Sequence, residues 1–205
     1  LTNGPDNVFS RRKFTGWSYL ASVNYQITPD KLVYAKTAKG FRGGAFGRSI
    51  DLMAEPEIAK DYEVGFKGDW LDHRLRTNLA LFLTNYSNKQ VSIQICSATG
   101  VPPVGGSCPL GTGFSTIVRN AAAARLKGVE GEFTFRPIDR LTINASASAI
   151  KAYYTDWPGA VSGEGAPLGN AKGLPTVTGV YSPPNWQGSV GGRYELDVGE
   201  GVLGL

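Results

Sequence analysis

Apolar and polar side chains alternate with a period of two through most of this 205-residue chain. An extended strand imposes that spacing, because it sends successive side chains to opposite faces. In 17–27 the odd positions are Trp17, Tyr19, Ala21, Val23, Tyr25 and Ile27, set against Ser18, Ser22, Asn24 and Gln26. In 60–70 the even positions include Tyr62, Val64, Phe66 and Trp70, while the odd ones are Asp61, Glu63, Gly65, Lys67 and Asp69. Leu75, Leu79, Leu81 and Leu83 share a parity that Val91, Ile93 and Ile95 resume after a polar interval. One strand of about twenty residues is therefore expected there, long beside the usual 5–6. Val129, Phe133 and Phe135 oppose Glu130, Glu132, Thr134 and Arg136; Leu141, Ile143, Ala145 and Ala147 oppose Thr142, Asn144, Ser146 and Ser148. Trp186, Val190, Tyr194 and Leu196 oppose Gln187, Ser189, Arg193 and Glu195. With 31–40 as a weaker member, the pattern predicts seven strands. One stretch competes: 120–127 (NAAAARLK) has good helix propensity, although alternation resumes at once and Gly128 would end a helix after little more than two turns.

The connections alternate as well. Tight ones fall at Thr28-Pro29-Asp30, Leu71-Asp72-His73, Pro137-Ile138-Asp139 and Asp197 to Gly201, and long ones at 41–57, 96–114 and 155–184. That order fits an antiparallel up-and-down sheet with its tight turns at one rim and its large loops at the other. Trp17, Tyr153 and Trp186 lie toward the long loops; Tyr25, Trp70, Phe133, Phe135 and Tyr194 lie nearer the tight turns. All share the apolar parity, which makes two aromatic bands on one face, the arrangement collected at bilayer–water interfaces. The same rings could fill the core of a soluble sandwich. The opposite face carries Asp61, Glu63, Lys67, Arg74, Arg76, Glu130, Glu132 and Arg136 and must be wet or ion-paired. Strand length and loop order favour the section of a closed barrel, with lipid covering the apolar side.

Composition agrees. Gly (27), Pro (12), Tyr (9) and Phe (9) are abundant beside one Met and one His, which favours β-structure with many turns. No apolar run approaches the ~18 residues of a spanning helix. The net charge of +4 is scattered rather than striped, so a nucleic-acid partner is not expected. The lone His73 leaves no base for a conventional triad and too few ligands for a metal site, and reads as a solvated turn residue. Cys96 and Cys108 flank a segment rich in turn formers, which suggests a disulfide and an oxidising compartment. The chain opens at Leu1 and stops as a new apolar run begins, so it reads as a piece of something longer.

Local motifs sharpen this picture. LVYAKTAKGFRGG (32–44), Glu55-Pro56-Glu57, YEVGFK (62–67), RLRTNLALF (74–82), Asn85-Tyr86, Gln90-Val91, Asn120-Ala-Ala and KGVE (127–130) follow one another in order. Together they resemble the strand–loop–strand series in the C-terminal part of the β-barrel domain of TonB-dependent outer-membrane receptors, over most of 17–150 and more loosely to the end. The resemblance implies an all-β, antiparallel meander forming part of a 22-stranded transmembrane barrel in the outer membrane of a Gram-negative bacterium. Residues 1–205 would be a section of that barrel domain, about one third of the wall, with the N-terminal plug and TonB box not present in this chain. It further implies uptake of a scarce nutrient, most directly a ferric siderophore, driven by the TonB–ExbB–ExbD complex, without catalysis or cofactor. The candidate ligand contacts are Phe41, Arg42, Phe46 and Arg48 in the first long loop, with Tyr154 and Trp157 in the last. Cations suit anionic ferric complexes, and rings suit catecholate or planar ligands. Phe41 and Arg42 also belong to the motif shared whatever the substrate. A surface adhesion or structural β-protein is the alternative, and an outer-membrane enzyme is disfavoured because the only His lies at the tight-turn rim.

Overall fold

The computed structural model describes residues 13–45, 54–96, 108, 113–157, 160–161, 167–169, 172, 184–199 and 201–204. They form ten strands: β1 (Tyr19–Thr28), β2 (Lys31–Arg42), β3 (Glu57–Trp70), β4 (Leu75–Cys96), β5 (Phe114–Ile138), β6 (Leu141–Asp156), β7 (Ala160–Val161), β8 (Pro167–Gly169), β9 (Trp186–Val198) and β10 (Gly201–Gly204). Eight make one antiparallel sheet in the order β1-β2-β3-β4-β5-β6-β9-β10, and β7 pairs only with β8. The sheet is the meander that the alternation predicts, with the four-residue β10 added to the seven expected strands. No helix occurs among the described residues.

The helix-prone stretch 120–127 lies inside β5. Arg125, Leu126 and Lys127 pair with Asn85, Thr84 and Leu83 on one side and with Tyr153, Ala152 and Lys151 on the other. A central strand satisfies its backbone in two ladders, and this tertiary gain overrides a local preference worth tenths of a kcal/mol per residue. The tight turns fall where Pro, Asp and Gly place them. At the β3–β4 turn Leu71, Asp72 and His73 all take positive φ (56°, 53° and 63°). His73 is exposed, with Asp69 and Asp30 3.5 and 3.7 Å away.

The register aligns like with like. Val23, Ala35, Val64, Leu81, Val129 and Ala149 are successive partners across six strands, and Trp186 continues the row on β9. No second layer covers this side among the described residues: Val64 is 51% exposed, Leu81 57% and Val190 78%. Among the described residues the apolar face is therefore open.

β4 runs for 22 residues as the one long strand expected, with an irregularity in its middle. The register shifts between Tyr86 and Gln90, with Asn88 at φ 54°. The two shifts cancel, since Tyr86 pairs with Ala124 and Gln90 with Asn120. Beyond them Val91 and Ile95 are 3% and 4% exposed, so these residues do not extend the open face of Leu79 and Leu81.

Two aromatic rings that lie on the polar face are explained by glycines. A Cβ on Gly65 would lie 2.3 Å from ring carbons of Tyr34, its direct partner on β2. One on Gly128 would lie 2.6 Å from Phe82 Cζ, its partner on β4. Each ring lies over bare backbone, a place that only a missing side chain provides.

Candidate functional site

The polar face is a lattice of matched charges and hydrogen bonds. Tyr34 Oη and Lys36 Nζ, two residues apart on β2, both donate to the Glu63 carboxylate on β3, at 2.6 and 2.5 Å. Thr84 Oγ1 donates to Asp61 at 2.7 Å. The Arg76 guanidinium grips Asp69 through two bonds of 2.8 and 2.9 Å, the planar fork that makes such a pair geometrically specific. Asn78 Nδ2 donates to Glu132 at 3.4 Å, and Thr134 and Asn144 meet at 3.0 Å. Between them Tyr34, Glu63, Lys67, Asn78, Glu130 and Glu132 line a broad open concavity. The surface can hold water and polar solute against the wall. The described residues hold no group of three His, Cys, Asp or Glu side chains able to bind a metal ion.

At the loop rim, a second network ties distant segments together. Glu57, 9% exposed, accepts the Gln90 backbone N–H at 2.9 Å, and Lys89 Nζ lies 4.0 Å from the same carboxylate. Gln90 Nε2 donates to the carbonyls of Gly43 (2.8 Å) and Glu55 (3.1 Å). Asn120 Nδ2 donates to the carbonyls of Glu55 and Asn88, both at 2.8 Å, and its Oδ1 accepts the Glu55 N–H at 2.5 Å. Ala45 and Ala54 close the base of the first long loop by exchanging backbone bonds of 2.8 and 3.1 Å. Gly44 has no room for a side chain, since a Cβ there would lie 2.2 Å from the Ala54 carbonyl. These contacts use motif residues from four sequence regions and fix the foot of the loop.

The sequence-predicted ligand residues lie in two groups separated by β3, β4 and β5. Phe41 is 38% exposed and its ring lies against Gly16, while Arg42 is exposed and opposite Glu57 in the register. Phe46 and Arg48 lie outside the described residues. Tyr154 is 1% exposed, packed with Ala124, Tyr86 and Trp157, its ring centroid 4.6 Å from that of Trp157. Its ring is part of a small core, whereas Trp157 keeps a partly open face. Cys96 and Cys108 are joined in a disulfide (Cα–Cα 5.4 Å) that closes the loop leaving β4. Glu55, Glu57, Gln90 and Asn120 are motif members far apart in the sequence, and the register brings them together.

Comparison with known proteins places this geometry. The family described as TonB dependent receptor-like, beta-barrel, matches residues 2–204. Over 71 residues, 33% of this chain and 8% of the relative, the sequence is 32% identical to a ferric-pyoverdine 358 receptor of Pseudomonas putida. Two solved structures share the fold. The ferric yersiniabactin uptake receptor FyuA of Yersinia pestis aligns with TM-score 0.57 at 18% identity, covering 90% of this chain and 24% of the receptor. The siderophore receptor PiuA of Acinetobacter baumannii aligns with TM-score 0.59 at 20% identity, covering 86% and 23%. The chain thus spans about a quarter of the length of those solved receptors.

Proposed function

This chain belongs to the TonB-dependent receptor-like β-barrel family, and on that premise we propose that it forms a section of the wall of an outer-membrane receptor for a ferric siderophore. Strands from the remainder of the protein close the sheet into a 22-stranded barrel, lipid covers the face of Val64 and Leu81, and the face of Glu63 and Glu132 lines the lumen. The observation that carries this reading is the sheet itself: one continuous antiparallel ribbon, apolar and uncovered on one side, charged and hydrogen-bonded on the other. A lipid-facing wall needs that division, because unpaired charge is costly in hydrocarbon and strand edges vanish only on closure. The siderophore substrate is supported by the names of the relatives.

In this mechanism the wall does no bond chemistry. Ligand is held among the long loops, with Arg42, Arg48, Phe41, Phe46 and Trp157 as contacts and buried Tyr154 positioning Trp157. TonB–ExbB–ExbD acts through an N-terminal plug, and solute passes along the polar face. The test uses the complete parent receptor in an iron-starved deletion strain, with uptake of radiolabelled iron followed for a panel of ferric siderophores. At least one siderophore should restore uptake in a TonB-dependent manner, and Arg42→Ala with Trp157→Ala should weaken its binding about tenfold or more, roughly one charge-assisted contact. Uptake that is the same with and without the receptor for every siderophore refutes the proposal and favours a partner-binding surface protein.

A further inference from the structure

Below the loop rim, where the register brings Asp156 opposite Ala123, the apolar face carries charge of one sign. Across the paired strands it presents Lys31, Lys39, Lys60, Arg125, Lys127 and Lys151, while Asp61, Glu63, Asp69, Glu130, Glu132 and Glu195 all fall on the other parity. Lys31 sits at the tight-turn rim with Nζ 4.3 Å over the Trp70 ring. The other five gather toward the long loops.

Their height is fixed by the register. Lys60 lies ten residues from Trp70 at its tight turn, Lys127 ten from Pro137, Lys151 ten from Leu141, and Lys39 eight from Lys31. Ten steps of about 3.3 Å, at a strand tilt of about 40°, rise about 25 Å, the height of the apolar band of such barrels. The cations therefore stand where hydrocarbon gives way to lipid headgroups on the loop side. Trp17, stacked on Tyr19 and capped by Lys39 Nζ at 4.1 Å, marks the same level.

Within that belt like charges are direct partners: Lys39 faces Lys60, and Lys127 faces Lys151. Like charges opposite one another on one face of a sheet repel. Arg125 is held by Asn85 Oδ1 at 2.8 Å, but no carboxylate among the described residues pairs with Lys39, Lys60, Lys127 or Lys151. Lys60, Lys127 and Lys151 are exposed. Below them Tyr62, Val64 and Leu81 offer an open apolar track. Cations without internal counter-charge above a greasy surface complement one kind of molecule.

We propose that this belt binds a phosphate-bearing, multiply acylated lipid of the loop-side leaflet. Phosphates lie between Lys60, Lys127 and Lys151, and acyl chains lie along Tyr62, Val64 and Leu81. The proposal rests on the wall reading above, since only a membrane brings such a lipid to this face. It adds an interaction surface on the outside of the wall, separate from the siderophore path.

The test uses the complete parent receptor in dodecyl maltoside, with bisphosphorylated, hexa-acylated lipid A as probe and retention read by native mass spectrometry. Three cations at roughly fivefold each predict that K60Q/K127Q/K151Q loses about 100-fold in lipid A affinity. The K60R/K127R/K151R variant should keep the parent's affinity, phosphatidylcholine should not discriminate parent from variant, and inorganic phosphate should not displace the lipid. Equal lipid A retention by parent and Gln variant overturns the proposal, as does loss in the Arg variant or displacement by free phosphate. Heat-modifiable migration on gels establishes that each variant is folded. Ferric uptake by the same variants should remain at the parent's level, so absence of uptake in the parent itself would count against the transport reading and not against the lipid belt.

Discussion

The division of the sheet into two faces can be tested with a single pair of arginines. Leu81 lies six residues from Leu75 at the tight turn, about 15 Å up a band about 25 Å tall when strands tilt by about 40°. Its side chain is 57% exposed between Val64 and Val129. Leu81→Arg near the middle of the bilayer should cost about 2–4 kcal/mol. Asn78, three residues away on the same strand, faces the other side and reaches Glu132 at 3.4 Å. Asn78→Arg gains a carboxylate neighbour in a wet setting and should cost less than about 1 kcal/mol. A difference of about 2 kcal/mol is roughly 30-fold in the folding constant. Equilibrium urea titration of the parent receptor in lipid vesicles, followed by tryptophan fluorescence and heat-modifiable migration, resolves that gap. Equal costs for the two substitutions, or a larger cost at Asn78, would mean that hydrocarbon does not cover the Leu81 face.

Two further substitutions probe the wall's internal fittings. Gly65→Val places atoms where the Tyr34 ring lies, 2.3 Å from the Cβ site, so Tyr34 must leave and its bond to Glu63 is lost. The expected cost in the same titration is about 1–3 kcal/mol, shrinking markedly when Tyr34→Ala is present; a cost unchanged by Tyr34→Ala would refute the ring-over-glycine account. Removing the Cys96–Cys108 bridge by paired serine substitutions opens a loop of sequence separation 12 and should lower stability by about 3 kcal/mol on the chain-entropy account. Reductant should bring the parent down to the variant's stability and leave the variant unaffected, and a parent indifferent to reductant contradicts this.

The alternation in 17–27, 60–70 and 75–83 is readable because each of those strands has one polar face and one apolar face, so its sequence records both. Where another force sets the face, the record fails. The alanines of 120–124 suit a helix, and only the ladders to β4 and β6, invisible locally, hold them extended. Val91 and Ile95 keep the parity of Leu79 in the sequence, yet they are 3% and 4% exposed where Leu79 is 41%, a difference of packing that period alone does not record. β10, four residues long, is too short to show a period. At the loop rim the chemistry-bearing residues were visible one at a time, yet Glu55 and Asn120 are 65 positions apart and only the register makes them partners. Tyr154 illustrates the converse: an aromatic beside a long loop has the composition of a ligand contact, and its burial follows from packing on Ala124 and Tyr86 that spacing does not encode.

The motifs that carry the family resemblance acquire a physical reason from this arrangement. Gly44 is required by the closeness of Ala54, and Gly43, Glu55, Glu57, Gln90 and Asn120 fasten the foot of the first long loop to β4 and β5. The exchanged backbone bonds between Ala45 and Ala54 complete this fastening at the foot of the loop. Arg42 sits at the edge of this fastening: its backbone pairs with Glu57, and its side chain is exposed. Replacing Arg42 with lysine keeps the charge and loses the planar fork, so affinity for an anionic ferric complex should fall while the stability of the sheet is unchanged.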